Sequence, residues 1–430
     1  MDAESSEFAT EPVPDHATVP WYSVAFVAAM VAFSLPTFLT GLEVAVVTTP
    51  RETISILVYG AIILTVIGSV TGAIGASTRL SSYMLNRVAF GRRGAALVNL
   101  AFAVSLLGWF GVNIDLFSGA VTRLAVELFD TTVPAWPIEL FAGIIMTVTT
   151  IFGFRAINIL STLLVPVLIL VTYLLLSGAL KATPLESLLA IETQPEITFG
   201  DGVSSVVGAV IVGCVILPDI TRFIGHWRGA VYTAVITYFF IDIVVTGAGG
   251  MAAASLQDDD LLNIMVTLGL GWAAFAIVIF GSWVLNSLNL YSTMLSVEST
   301  VPSLNNTVLI VVTGALGTLA AFLNILDYFL DFLFYLAIVF VPVAGVIAID
   351  YLFLRREAYH GDRPLEPPEL RPGAVAAWAL GAVVSLAGSF GWFTLTGIAA
   401  IDAMLVAAAL YLIIHKAAHR DQAGSGEPSQ

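Results

Sequence analysis

Two stretches of the sequence place carboxamide side chains along one face of an apolar helix. In the first, Trp109 and Asn113 are four residues apart, so they share a helical face. Stacking on an aromatic side chain stabilises a bound base by about 1–3 kcal/mol, and an amide offers donors and an acceptor to a ring edge. The pair is therefore a candidate site for a planar, hydrogen-bonding ring. The alternative is that Trp109 only packs against other helices or lies at the membrane interface.

The second stretch carries Asn286, Asn289 and Thr293 at positions i, i+3 and i+7, which is one polar stripe on a mostly apolar helix. Buried amides must find hydrogen-bond partners. Those partners are either neighbouring helices or a bound substrate, and the spacing alone leaves both interpretations open.

Several carboxylates also lie within apolar segments, where a charge is costly and usually functional. They are Glu43, Asp115, Asp242 and Asp402, with Asp219 and Asp350 near segment ends. Asp115 follows Asn113 by two residues, so it is a candidate for exchanging a proton or attracting a cation; pairing with Arg123 is the alternative. Asp219 and Arg222 are three residues apart and are predicted to pair.

Other classes of function are not supported by the sequence. It has no phosphate-binding loop, no zinc-ligand spacing and no nucleophile–base pair, so we predict neither an enzyme nor an ATP-driven pump. The lone cysteine, Cys214, cannot form an intrachain disulfide. A net charge of −15 argues against nucleic-acid binding, and no cofactor is expected beyond a coupling ion.

The composition is that of a membrane protein. Hydrophobic residues make up 58% of the 430 and charged residues 11%, against about a quarter charged in soluble domains. Apolar runs long enough to cross a bilayer recur along the chain. They predict an all-α integral membrane protein with twelve spans at about 22–47, 53–77, 95–122, 137–154, 156–178, 200–221, 229–254, 263–297, 307–325, 327–354, 374–393 and 395–415.

The distribution of basic residues sets the orientation. With the N-terminus in the cytoplasm, thirteen Lys and Arg residues fall on the inner side and three on the outer side, which are Arg51, Arg123 and Lys181. We therefore expect a multi-pass protein of the cell membrane with both termini cytoplasmic. The predicted parts are a disordered tail (1–20), a ten-helix body (21–354), a cytoplasmic loop (355–373), two further helices (374–416) and a second disordered tail (417–430).

Helix-breaking residues interrupt the first and sixth spans. The first contains Ser34 and Pro36 in its middle, and the sixth contains Pro218. A proline removes a backbone donor and kinks a helix, which a membrane tolerates where the freed backbone lines a cavity. Broken helices five spans apart predict two five-helix repeats of inverted topology with a site at the midplane, where Ser34 is a candidate lining residue. Simple bending by proline is the alternative.

With these residues in place, the sequence resembles the purine–cytosine permease family, the nucleobase:cation symporters, and its cytosine permease branch in particular. The resemblance lies in RVAFG at 87–91, GWFGV at 108–112, PDITRF at 218–223, NSLNLYS at 286–292, PVAGVI at 342–347 and DYL at 350–352. It implies a 5+5 inverted-repeat core with two extra helices, in which a bundle of spans one, two, six and seven rocks against a scaffold. It also implies that Trp109 stacks on a base, with polar contacts from Asn113, Asn286 and Asn289.

Two departures from the family pattern bear on substrate and ion. Relatives place a second aromatic residue on the sixth span where this sequence has Val210. Sodium-coupled relatives carry hydroxyl residues where this sequence has Val284 and Leu285, which favours proton coupling. Carbonyl groups from Phe33 to Pro36, together with the Ser282 hydroxyl, remain candidates for holding sodium.

The sequence therefore predicts cation-coupled symport, by protons or sodium, of a nucleobase or related planar heterocycle such as cytosine into the cytoplasm. An amino-acid or amine carrier of the same fold is the alternative, and a receptor or channel without coupled transport is a second. The exact substrate and the oligomeric state are left open.

Overall fold

The structure, a computed structural model, is built almost entirely of α-helices. It describes residues 8, 11–192, 194–301, 304–323, 329–360 and 367–425. The first half contains α1 (Trp21–Ala32), α2 (Leu35–Val47), α3 (Pro50–Thr78), α4 (Ser82–Phe129), α5 (Ala135–Ile151), α6 (Gly153–Ala182) and the short α7 (Leu185–Leu188). The second half contains α8 (Phe199–Val215), α9 (Pro218–Thr221), α10 (Trp227–Ala234), α11 (Asp242–Leu256), α12 (Leu261–Thr267), α13 (Gly271–Ala276), α14 (Ser282–Thr300), α15 (Asn306–Phe322), α16 (Phe329–Ile349), α17 (Pro372–Ser389) and α18 (Ala399–Ser425). Three π-helical segments occur in the described residues: Val235–Ile241 joins α10 to α11, Ile277–Gly281 joins α13 to α14, and Asp350–Leu354 follows α16.

The apolar helices account for twelve crossings in the described part of the chain. Seven continuous helical segments are long and apolar enough to span a membrane, and α1 with α2 form an eighth span bent by 49°. Four shorter apolar helices, in α5, α15, α16 and α17, complete the set. The protein is therefore a multi-pass membrane protein. An even number of crossings separates residues 11–20 from the end of α18, so these two described segments lie on the same face, which we call the N-terminal face.

The helix pairing shows the inverted repeat. The first span contacts the seventh through α2 and α11, and the sixth contacts the second through α8 and α3. The third and eighth spans, α4 and α14, pack on each other. In a 5+5 repeat the first span corresponds to the sixth, the second to the seventh and the third to the eighth. Under this correspondence the contact between the first and seventh spans becomes the contact between the sixth and second, and the contact between the third and eighth becomes itself, so the pairings have the symmetry of the repeat. The predicted fold class is confirmed, including breaks in the first and sixth spans, with α17 and α18 added outside the repeat.

Several predicted boundaries differ from the structure because local turns end helices inside apolar runs. The predicted eighth span, 263–297, merges the separate helix α12 with the crossing segment, which begins only at Gly271 after a turn at Gly269 (φ +72°). The fourth span ends at Ile151 rather than 154, since Gly153 adopts a φ of +69°. A disordered tail was expected from residue 417, but helix α18 continues to Ser425. Residues 426–430 of that predicted tail lie outside the described residues.

The expected disordered N-terminal tail is also different where it is described. Val13 is 1% exposed, and its amide donates to the carbonyl of Arg79 at 3.1 Å. Asp15 forms an ion pair with Arg79 at 2.6 Å, and the Val19 amide donates to the Phe223 carbonyl at 2.8 Å. Residues 11–20 are held because they pair with backbone groups at the ends of the second and sixth spans.

A kink in α4 is fixed by the connection between α16 and α17. Gly91 has a φ of +77°, and a Cβ there would lie 2.8 Å from the Pro368 carbonyl oxygen. The amides of Arg92 and Arg93 donate to the carbonyls of Pro368 and Glu369 at 3.0 and 2.8 Å. The predicted third span, 95–122, thus belongs to a longer helix that starts at Ser82 and changes direction at this glycine; 361–366 of the predicted loop lie outside the described residues.

A buried acid anchors the two added helices to the core. The Asp350 carboxylate accepts hydrogen bonds from Arg355, from Tyr411 at 2.6 Å and from Tyr359. Burial and the nearby carboxylate raise the pKa of Tyr359 well above its usual value, which keeps its hydroxyl protonated as a donor. Because Tyr411 lies on α18, this cluster ties the twelfth span to the tenth.

The first and seventh spans approach each other through glycine. A Cβ on Gly41 of α2 would collide with the Thr246 carbonyl of α11, and a Cβ on Gly249 would collide with the Phe38 carbonyl. Gly247, two residues away on α11, has nothing within 4 Å of its Cβ position. Small residues at this interface therefore set the distance between the two helices.

We expect Gly249→Ala to destabilise the protein and Gly247→Ala to leave its stability unchanged or slightly higher. Overpacking costs about 1–3 kcal/mol, whereas alanine is the better helix former at an open position by about 0.5–1 kcal/mol. Thermal unfolding of the two purified variants in detergent measures the difference. Equal melting temperatures would contradict the packing described for α2 and α11.

Candidate functional site

A central cavity lies where the first and sixth spans are broken. The space inside it that is open to water-sized molecules is about 60 Å³, so the cavity is small and nearly closed. Its walls come from α1–α2, α4, α8–α9, the π-helical segment before α11, and α14. The lining residues include Ser34, Pro36, Thr37, Leu106, Trp109, Val210, Gly213, Asp219, Tyr238, Leu288, Asn289 and Ser292.

Four predicted substrate-site residues line this cavity. Trp109 from α4 and Asn289 from α14 are 7% and 8% exposed, so each is buried except where it meets the cavity. Ser34 lines it from the break in the first span, and Val210 lines it from α8. An indole, a carboxamide and a hydroxyl are thus brought together from three helices that are distant in sequence.

The other two predicted amides lie behind the cavity wall. Nδ2 of Asn113 donates to the Trp109 carbonyl at 2.8 Å, within its own helix. Nδ2 of Asn286 donates to the Phe110 carbonyl at 3.0 Å, and its Oδ1 accepts from Asn289 at 3.4 Å. Asn286 therefore joins α14 to α4 and positions Asn289, which is the amide that reaches the cavity.

The break in the first span is stabilised by two hydroxyl groups. Ser34 and Thr37 both donate to the Val31 carbonyl, at 3.1 and 3.2 Å, and their oxygens are 3.0 Å apart. They satisfy a carbonyl that the end of α1 leaves without a helical partner. Both residues also line the cavity, so the polar surface there is made by the break itself.

The predicted sodium ligands lie beside this break. A Cβ on Gly281 would collide with the Phe33 carbonyl oxygen, so the eighth span touches the break directly at this residue. The neighbouring Ser282 hydroxyl is fully buried and has no hydrogen-bond partner among the described residues. Pro36 lines the cavity, whereas Val284 and Leu285 offer no side-chain oxygen. The Phe33 carbonyl and the Ser282 hydroxyl are the oxygen atoms available here to a cation.

Asp115 lies in a separate cavity that faces away from the N-terminal face. Arg123, Asp260 and Leu35 line the same outer cavity. Arg123 donates to Asp260 across it. Leu35 lines the outer cavity and Pro36 the central one, so the break in the first span separates the two.

A polar network on the N-terminal side of the central cavity was not predicted in full. The Asp219 carboxylate of α9 accepts from the amide and hydroxyl of Ser82 at 2.9 and 2.6 Å, and from the Ser292 hydroxyl at 2.8 Å. Arg222 donates to the main-chain carbonyl of Asp219 at 3.0 Å and to the Tyr291 hydroxyl at 2.9 Å.

This network joins the sixth span to the third and eighth across the cavity. Ser292 continues the polar stripe of Asn289 at i+3, so the sequence contained a signal for it, whereas Ser82 is 137 positions from Asp219 and gave none. Arg222, the predicted partner of Asp219, donates to the main-chain carbonyl of Asp219. The Asp219 carboxylate accepts hydrogen bonds from Ser82 and Ser292. These bonds must break for the cavity to open toward the N-terminal face.

Comparison with known proteins places this arrangement in context. The sequence model of a family described as permeases for cytosine/purines, uracil, thiamine and allantoin matches residues 12–413. A cytosine permease of Escherichia coli K12 is 28% identical over 425 residues, covering 97% of this chain and 96% of that protein.

Solved structures share the fold. Mhp1, a nucleobase-cation-symport-1 family transporter solved in a closed conformation with bromovinylhydantoin bound, matches with a TM-score of 0.79 at 19% identity, covering 95% of this chain and 94% of Mhp1. A Na⁺-coupled sialic acid symporter matches with a TM-score of 0.69 at 13% identity, over 96% and 92% of the two chains. At these identities the likeness concerns the fold alone.

We expect Asp219→Ala to lower stability markedly, because it leaves two hydroxyls and an amide buried without their acceptor. Each unsatisfied buried group costs about 1–3 kcal/mol. Asp201→Ala is the matched control, since Asp201 is exposed and bonds Thr198 on the same surface turn. Thermal unfolding in detergent compares them, and a loss at Asp219 no larger than at Asp201 would contradict the network.

Proposed function

Since the chain belongs to the family of permeases for cytosine/purines, uracil, thiamine and allantoin, we propose that it is a secondary transporter that carries a nucleobase or related planar heterocycle together with a cation. The observation that carries the proposal is that Trp109 and Asn289 line one cavity at the two helix breaks. Such a midplane cavity between broken helices is where transporters of this architecture bind their substrates.

The lining favours a neutral ring. Trp109 provides a stacking face, and the Asn289 amide offers donors and an acceptor to a ring edge. Val210 and Leu106 are apolar, and the only charged side chain among the lining residues, Asp219, is engaged by serines. A zwitterionic amino acid needs a counter-charge for its ammonium group, so this cavity suits a nucleobase better than the amino-acid or amine alternative.

The direction of transport follows from the distribution of basic residues between the two faces of the membrane. The sequence predicts thirteen of the sixteen Lys and Arg residues on the side of the N-terminus, so by the positive-inside rule that side is cytoplasmic in a cell membrane, with both termini there. The Asp219 network then closes the cytoplasmic side, and the cavity that contains Asp115 opens to the outside. Alternate opening of the two sides around Trp109 would carry substrate inward.

The coupling cation is proposed to be a proton rather than sodium. Sodium prefers several oxygen ligands, and the eighth span supplies Val284 and Leu285 where side-chain oxygens would serve. The Phe33 carbonyl and Ser282 hydroxyl are the remaining oxygens for a sodium ion. Asp115, in the outer cavity, is a candidate for attracting the cation before the cavity closes.

We expect Trp109→Ala to weaken binding of cytosine or another accepted base by about 1–3 kcal/mol, because it removes the stacking face. Trp392→Ala, which removes an indole that is 79% exposed, should bind normally. Isothermal titration or a ligand-induced thermal shift on the purified variants tests this. Unchanged affinity in a well-folded Trp109 variant would refute the site.

Reconstitution in proteoliposomes tests the function itself. An inward proton gradient should accumulate labelled cytosine or another accepted base, while an inward sodium gradient at equal pH should not. Excess unlabelled nucleobases should compete, and amino acids or amines should not. Accumulation driven only by a sodium gradient would show that the coupling ion is sodium and not a proton. Competition by amino acids would favour the alternative substrate class.

A further inference from the structure

A carboxyl group on the seventh span is buried in the membrane region and is not used by the substrate site. Asp242 begins α11 and is 1% exposed, and its Oδ1 has no hydrogen-bond partner among the described residues. We propose that Asp242 is the group that binds and releases the coupling proton. This deepens the proposed function, on which it rests, by naming the ion site.

Among the helices that pack near Asp242 in the described part of the chain, none places a basic residue beside it. Helices α1 and α2 contain no Lys or Arg, and α3 carries only Arg51 in its first turn. On α6 the basic residues are Arg155 and Lys181, near its two ends. Apart from the cluster described next, the other titratable side chains of these helices are the exposed Tyr22, Glu43, Tyr59, Tyr173 and Asp201, and Glu52, which is half-buried in the first turn of α3.

Two titratable side chains, Cys214 and Tyr238, lie near enough to Asp242 to interact with it electrostatically. Cys214 is on α8 and is fully buried, and Tyr238 is one helical turn before Asp242. Both are ordinarily neutral, so neither compensates a negative charge. An uncompensated carboxylate in an apolar interior is far too costly, so Asp242 is neutral, and hence protonated, in this closed arrangement.

Tyr238 connects this acid to the substrate cavity. Its ring lines the cavity, and its hydroxyl is buried next to the Cys214 thiol. The Thr237 hydroxyl is buried and has no hydrogen-bond partner among the described residues. Buried hydroxyls on this turn, together with the Asp242 oxygen that has no partner among the described residues, are groups that water would bridge if the cavity opened, giving Asp242 a route for its proton.

The backbone around Asp242 is also irregular. The segment Val235–Ile241 is π-helical, and the Asp242 amide donates to the carbonyl of Thr237, five residues earlier. Single π-helical turns inside α-helices occur frequently at functional sites. One turn later, Thr246 contacts Gly41 of α2, so Asp242 lies next to the interface between the first and seventh spans.

The proposed step is a simple acid–base exchange. When water reaches the site from the outside, the Asp242 carboxylate takes a proton from hydronium, an O–H bond forms, and water is released. The neutral acid can then be buried with the substrate as the outer side closes. When the cytoplasmic side hydrates, the proton passes back to water, and the restored charge opposes closing until another proton binds.

The experiment compares Asp242→Asn with Glu43→Gln in the full-length protein reconstituted in vesicles. Asparagine keeps the shape of the neutral acid but cannot release a proton. We expect Asp242→Asn to bind labelled cytosine (or another accepted base) within about threefold of the wild type and to lose proton-gradient-driven accumulation. Proton uptake on adding substrate, followed with a pH indicator in weak buffer, should also be lost. Glu43→Gln, which alters an exposed acid, should keep both.

Retained proton uptake and accumulation in Asp242→Asn would overturn the proposal. Loss of both in Asp115→Asn, with Asp242→Asn unaffected, would move the site to the outer cavity. If Asp242→Asn fails to fold, Asp242→Glu provides the second measurement, since a carboxyl in a changed position should retain coupling with an altered pH profile. A wild type that transports no nucleobase at all would contradict the proposed function instead of this assignment.

Discussion

The break between α1 and α2 is the constraint on which the rest of the structure depends. In a bilayer, backbone amides and carbonyls cannot turn to water, so an interrupted helix must find its partners inside the protein. Ser34 and Thr37 supply two of them by donating to the Val31 carbonyl. The Phe33 carbonyl lies directly against Gly281 of the eighth span. The same groups that satisfy the break also make the polar wall of the central cavity.

The two sides of that cavity are closed by different kinds of interaction. On the N-terminal side, a carboxylate and an arginine hold the sixth span to the third and eighth through serines and Tyr291. On the other side, the break itself separates the outer cavity from the central one. Hydrogen bonds can exchange with water one at a time, so the polar closure is suited to opening and reclosing.

The sequence alone determined the features that depend on neighbouring residues. Hydrophobic runs gave twelve crossings, and proline at positions 36 and 218 located both breaks, because helix termination is a local property of the backbone. The five-span interval between the breaks was enough to predict the inverted repeat. The placement of Trp109 followed from helical periodicity, although periodicity could not exclude a packing role.

Only the tertiary structure decided which polar groups meet. Asn113, Asn286 and Asn289 look equivalent in the sequence, yet Asn289 is the amide that lines the cavity while the other two bond main-chain carbonyls. The serine that shares Asp219 with Ser292 comes from 137 positions away. A hydrogen-bond partner is chosen by the rotation and spacing of packed helices, and those are set by side chains far apart in the chain. For the same reason, the sequence showed that Asp242 is acidic, and the fold showed that it is buried without a counter-charge.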